Sequence, residues 1–155
     1  MADTADCPVA SSLADDHRTI FVRRVPDAER PAFLPRVFGP RLASKGEAAV
    51  FDWMAALCPA YSGGYWQFYD LSNGGFYLAL DAKVSAGGEA PELLLRAENG
   101  FEDEMSYDAA GIVATMYAIN RLIWQGADHL EDAFYKLRDF AAEHVEFRKI
   151  LRAVD

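Results

Sequence analysis

Apolar residues recur along this chain with two different periods, and the switches between them mark its organisation. Val50, Trp53, Met54 and Leu57 fall at i, i+3, i+4 and i+7, which predicts an amphipathic helix ended by Pro59. Ser44, with Glu47 three residues on, reads as a capping box at its start. The period then shortens to two. Residues 65–70 and 76–80 are aromatic-rich strands around Leu71-Ser72-Asn73-Gly74-Gly75, where Asn73-Gly74 offers a tight hairpin its positive-φ pair. Residues 92–97 and 101–105 make a second pair around Glu98-Asn99-Gly100. Helical spacing then returns, with Ser106 placed to cap a helix over 107–124. Ile112, Met116, Ile119 and Ile123 form its stripe, widened by Val113, Ala114 and Tyr117. A helix this apolar around its circumference belongs at the centre of a core. Asp128 with Glu131 resembles another capping box, opening a helix with Leu130, Phe134, Leu137 and Ala141 inward. Phe147, Ile150, Leu151 and Val154 suit a short terminal helix.

The first part of the chain is less regular. Residues 1–16 are small, polar and acidic, and residues 18–25 have strand composition. Pro26, Pro31, Pro35 and Pro40 leave room only for short helical turns, though Phe33, Leu34, Val37 and Phe38 could share an apolar face. Strands grouped in the middle with helices at both ends predict an α+β fold: a four-stranded antiparallel meander sheet packed by four to five helices. Residues 1–28 are expected to be a flexible leader carrying a short strand, and 29–155 a single domain.

Composition narrows the function. The 155 residues are 52% apolar and 25% charged, the balance of a soluble globular protein. No apolar run approaches the ~20 residues a membrane span needs, and the acidic start is unlike a secretory signal. The cytoplasm is the expected compartment, since two cysteines make no disulfide framework. The net charge is −9, and residues 61–110, with nine acids and two bases, carry most of it. Direct nucleic-acid binding is disfavoured, because phosphate contacts need clustered Lys and Arg. Duplex of the length of a domain this size, roughly 40 Å, carries on the order of 23 phosphates. The 24 acids here are diluted by 15 bases, which argues against mimicry of DNA over the whole body and leaves an acidic patch on one face open.

Catalytic constellations are weak. Cys7 lies in the leader, and Cys58 ends a helix, where the dipole does not favour a thiolate; packing explains it better. His17, His129 and His144 have no metal-ligand spacing, and neither a nucleophile elbow nor a P-loop occurs. No metal and no cofactor are expected. Gly63-Gly64 and Gly74-Gly75 precede strands rather than helices, so turn geometry accounts for them. Two features could serve a partner. One is the acidic run Glu98, Glu102, Asp103, Glu104 and Asp108; the other is the aromatic cluster from Tyr61 to Tyr77. Its consecutive strand residues must point to opposite faces, so either the sheet is covered twice or some rings are exposed.

The ordered motifs resemble the KlcA/ArdB antirestriction family. They are Phe33-Leu34-Pro35 with Phe38-Gly39, Gly63-Gly64-Tyr65-Trp66, Leu71-Ser72-Asn73-Gly74-Gly75-Phe76-Tyr77, Asn99-Gly100-Phe101, Asp108-Ala109-Ala110-Gly111-Ile112-Val113-Ala114-Thr115, and Phe140-Ala141-Ala142-Glu143-His144. The similarity spans about residues 30 to 155, while the leader and the loop from Lys83 to Pro91 match nothing in it. The resemblance implies a small cytoplasmic protein of plasmids and other mobile elements that relieves restriction of unmodified DNA by type I restriction–modification enzymes. It implies no catalysis and supplies no contact residues. Together with the residue-level reading, it leads to a non-enzymatic inhibitor, expected as a monomer, that touches the restriction complex through Glu102, Asp103, Glu104 and Asp108, with Tyr65 and Trp66 as aromatic anchors. The alternatives are a partial DNA mimic and a hydrolase using Cys58 with His129 or His144.

Overall fold

The computed structural model describes residues 20–82, 87–88 and 90–155. Strand β1 (Val22–Arg24) leads through a 3₁₀ turn into helix α1 (Arg30–Phe38) and helix α2 (Ala43–Leu57). Strands β2 (Trp66–Leu71), β3 (Phe76–Leu80), β4 (Glu92–Arg96) and β5 (Glu102–Ser106) follow. Helices α3 (Tyr107–Trp124), α4 (Glu131–Glu143) and α5 (Phe147–Val154) close the chain. The α+β class is as expected, and among the described residues there are five α-helices. No helix among the described residues is long and apolar enough to cross a membrane.

The single meander is not formed. β1, β2 and β3 make a three-stranded antiparallel sheet, and β4 with β5 is a separate two-stranded hairpin. The reason lies at the outer edge of β3. In the β2–β3 register Phe68 faces Leu78, and the bonded pairs flank it, so the Leu78 N–H and C=O point away from β2. Thr115 of α3 takes both: its Oγ1 accepts the Leu78 N–H at 3.1 Å and donates to the Leu78 carbonyl at 3.3 Å. One turn earlier, Gly111 lets the helix close in; a Cβ there would lie 2.4 Å from the Ala79 Cβ and from the Leu78 oxygen. A helix therefore occupies the place where β4 would pair, and the edge is sealed.

The sheet is covered on both faces, and β3 is buried along its whole length. On one face Phe33 stacks on Phe68 at 4.8 Å, Phe38 meets Phe76 edge-on at 5.1 Å, and Phe51 of α2 packs on Trp66. On the other, Tyr69 stacks on Tyr77 at 4.8 Å and Tyr77 on Phe140 of α4 at 5.8 Å. Central α3 buries eleven of its side chains or backbone positions between them. Each aromatic contact adds about 0.5–1.5 kcal/mol to the burial itself.

Several local expectations need correction. The Ser44 and Asp128 capping boxes are absent: α2 begins one residue before Ser44, and Asp128 opens a 3₁₀ turn that ends before α4 starts, neither helix having a side-chain cap. Ser106 does cap α3, accepting the Ala109 N–H at 3.0 Å. The proline-rich stretch holds a nine-residue helix rather than short turns. Pro31 falls in its first turn, where the missing N–H has no partner in any case. The folded unit begins before residue 29. β1 pairs with β2 from Val22 opposite Leu71, and Val25 is buried with its N–H on the Phe68 carbonyl at 2.8 Å. The leader's residues 1–19 and positions 83–86 and 89 of the Lys83–Pro91 loop lie outside the described residues.

Both Asn-Gly turns use only the glycine in the left-handed region, Gly74 at φ 96° and Gly100 at φ 94°; among the described residues no other residue type has positive φ. The asparagines serve otherwise. Asn73 accepts the Gly75 N–H and donates across to the Lys136 carbonyl of α4, both at 3.0 Å. Asn99 accepts the Phe101 N–H at 2.9 Å and donates to the Arg152 carbonyl of α5 at 3.0 Å. Each hairpin is thus tied to a helix by its own turn residue.

Candidate functional site

The acidic run does not form one face. In β4–β5, Leu93, Leu95 and Met105 turn inward and Glu92, Leu94, Arg96, Glu102 and Glu104 turn outward, since paired residues share a side. Glu102 lies 3.4 Å from Arg96, its cross-strand neighbour. Asp103 sits on the inward parity and leans towards Lys149 of α5 at 3.9 Å, while the Lys149 ammonium donates to the Glu104 carbonyl oxygen at 2.6 Å. The Glu104 carboxylate is exposed and has no ion pair among the described residues.

Asp108, its side chain half-exposed, is engaged by two groups of the protein itself. Its Oδ1 accepts the Tyr77 hydroxyl at 2.7 Å and its Oδ2 lies 2.9 Å from His144 Nε2. The Glu146 N–H donates to His144 Nδ1 at 2.9 Å, so the ring hydrogen sits on Nε2 and is donated to Asp108. Glu146 in turn holds Ser106, accepting its N–H at 3.0 Å and its hydroxyl. A chain of hydrogen bonds therefore joins β3, the start of α3 and the link between α4 and α5. Burial above all, and then the Asp108 carboxylate, push the Tyr77 phenol far above its ordinary value of 10.0. Neither nitrogen of His144 is left to take a proton from a nucleophile. His129 Nε2 donates to the Phe38 carbonyl at 2.9 Å, and Cys58 is buried in the core, at the C-terminal end of α2. Among the described residues, no His, Cys, Asp or Glu cluster is suited to a metal ion.

Trp66 is not a surface anchor. It is 4% exposed, wedged against Phe51 and Tyr61, with its indole N–H on the Tyr61 hydroxyl at 3.2 Å. Its neighbour Tyr65 is 55% exposed. The Arg30 guanidinium lies 4.8 Å from the Tyr65 ring centroid and 4.1 Å from that of Phe68, which holds the tyrosine against the sheet while leaving much of it open. Tyr65, Asp81, Pro91, Leu93 and Tyr107 line one cleft of about 480 Å³. The structure thus brings Tyr65 to the end of the hairpin where β4 begins and β5 ends. Pro91 and Tyr107 are not legible as neighbours of Tyr65 from the sequence, because both are far from it along the chain.

This architecture is shared by proteins already known. A family described as antirestriction protein matches residues 59–155, well over half of the chain. An antirestriction protein KlcA of Escherichia coli is 44% identical over 159 aligned residues, covering 99% of each chain. A second KlcA of Escherichia coli is 45% identical, over 88% of this chain and 94% of that one. A solved structure superposes with a TM-score of 0.79 at 45% identity, over 88% of this chain and 96% of that chain. It comes from work on the KlcA and ArdB proteins that describes a novel fold and antirestriction activity against type I DNA restriction systems in vivo but not in vitro. On its sequence and on its fold alike, the chain belongs to the antirestriction protein family.

Proposed function

We propose that this protein relieves the restriction of unmodified incoming DNA by type I restriction–modification enzymes, acting without catalysis through contact with the restriction complex. Kinship with KlcA supports the function. The observation that carries the mode of action is the surface of the β4–β5 hairpin: Glu102 near its turn and Glu104 midway along it face outward, and at its open end lies a cleft walled by Tyr65 and Tyr107. An exposed tyrosine held in place by a guanidinium loses little entropy on docking, the property of an interface anchor. Asp103 flanks this surface. Asp108 supports it from within through Tyr77 and His144, and Trp66 supports it from the core. The protein acts as a monomer in the cytoplasm, where the restriction enzyme meets entering DNA.

A partial DNA mimic needs unpaired carboxylates at phosphate spacing on one face. The pairing of Glu102 with Arg96, the lean of Asp103 to Lys149 and the engagement of Asp108 by Tyr77 and His144 favour contact over mimicry. The test belongs in cells: unmodified phage plated on a type I restricting host that expresses the wild type, the pair Glu102→Lys with Glu104→Lys, or Tyr65→Ala. All three positions are exposed, so the variants are expected to fold, with urea midpoints as the check. Wild type restores plating, and each variant loses at least about tenfold of that protection, corresponding to roughly 1.4 kcal/mol of lost contact. Folded variants with full protection would remove the site and spare the function. No protection by wild type against any type I system would remove the function.

A further inference from the structure

A cavity of about 600 Å³ lies on another part of the surface, where the turn between α1 and α2 meets the turn that follows α3. Pro40, Leu42 and Ala127 supply apolar wall over the buried Phe38 and Leu122, and Arg41 and Lys45 supply its charge. No acid lines it, in a chain with 24 acids and 15 bases. Neither cation forms an ion pair among the described residues. The start of α2 borders the same space, without a side-chain cap and with no acid in its first turn, so the positive end of its dipole adds to the two cations. The wall is already formed. Phe38 is fully buried against Phe76, Gly46 packs so close to the Phe38 ring that a Cβ there would lie 2.4 Å from it, and the Phe38 carbonyl is held by His129. A volume of this size suits a small organic ligand.

We propose that this cavity binds a small organic anion, an acid group carried on an apolar body. The acid lies against Arg41, Lys45 and the start of α2; the body lies against Pro40, Leu42 and Ala127. The apolar wall argues against a bare inorganic anion, which would leave that surface in water, and the cations argue against a neutral hydrocarbon. This assignment is independent of the contact surface at the β4–β5 hairpin.

Isothermal titration calorimetry of the full chain tests it with octanoate and 2-naphthoate as probes, and with 1-octanol and inorganic phosphate as the half-ligands. At least one of the two acids is expected to bind with one-to-one stoichiometry at millimolar concentration or below. Octanol and phosphate are expected to bind at least about tenfold more weakly, each lacking one half of the recognition. Arg41→Glu with Lys45→Glu, both exposed positions, weakens the acid at least about tenfold while the urea midpoint stays in place. Absence of binding by both acids, equal binding by the charge-reversed variant, or phosphate binding as tightly as the acids would each overturn the proposal.

Discussion

Replacing Thr115 by Val keeps the shape of the side chain and removes its hydroxyl. That hydroxyl is the partner of both the N–H and the C=O of Leu78 at the open edge of β3, and Thr115 and Leu78 are both fully buried. The variant leaves two backbone groups away from water with no partner. An orphaned buried group costs about 1–3 kcal/mol. The bond to the carbonyl is long at 3.3 Å, so that half contributes towards the lower end. The two together come to about 2–4 kcal/mol, or roughly a 5–15 °C fall in Tm for a domain of this size. Thr115→Ser keeps the hydroxyl and gives up one buried methyl, for about 1–1.5 kcal/mol. Urea unfolding followed by circular dichroism measures both, and hydrogen exchange at Leu78 reports the edge directly. The expected order is wild type, Ser, Val, with Leu78 exchange fastest in the Val variant. A Val variant within about 0.5 kcal/mol of wild type would show that the hydroxyl does not seal the sheet.

Gly111→Ala places a methyl 2.4 Å from Ala79 and from the Leu78 oxygen, and the obstacle is backbone; we expect at least about 2 kcal/mol of destabilisation by urea titration, and a neutral effect would mean α3 has room to move. Tyr77→Phe removes the 2.7 Å bond to the half-exposed Asp108 and is expected to cost about 1–2 kcal/mol at pH 7. The folded Tyr77 phenol titrates above the unfolded one, so its contribution is complete below about pH 10 and is lost as the pH rises beyond it. Between pH 8 and pH 10.5 the wild-type urea midpoint should therefore fall more than that of Tyr77→Phe, with the raised Tyr69 and Tyr117 phenols leaving both some slope; equal slopes would contradict the assignment. Cys58→Ala should keep full protection of unmodified phage at a temperature where the protein is folded, since the thiol only packs; loss of protection by a folded variant would revive a nucleophilic role.

Helix α3 was legible because its signals are local. A serine cap, an acid in the first turn and a wide apolar stripe stand next to one another, and the structure places the helix at Tyr107–Trp124. The split of the sheet was not legible, because it depends on which element reaches the free edge of β3. The sequence's sole trace of it is Gly111 followed four residues later by a hydroxyl, Thr115, within an otherwise apolar helix. Alternation predicts that consecutive aromatics face opposite ways, but Tyr65 precedes β2, and Arg30 holds its ring beside Phe68; the packing of α2 is what decides that Trp66 is inside. The acids at 102–104 and 108 look continuous as text, yet strand parity and a histidine 36 residues on send them to different surroundings. The false capping boxes fail for a simpler reason: the right residues are present, and the helices start elsewhere.

Contact with the restriction enzyme can be read most directly by placing a photo-crosslinking amino acid at position 104, on the outward face of β5, in cells with an active type I system. Irradiation during entry of unmodified DNA is expected to join the protein to a subunit of that system, and the adduct should disappear in cells lacking the system or when the probe stands at the buried position 66. Protection that persists with no subunit attached, from position 104 or from position 65, would contradict an action through this surface.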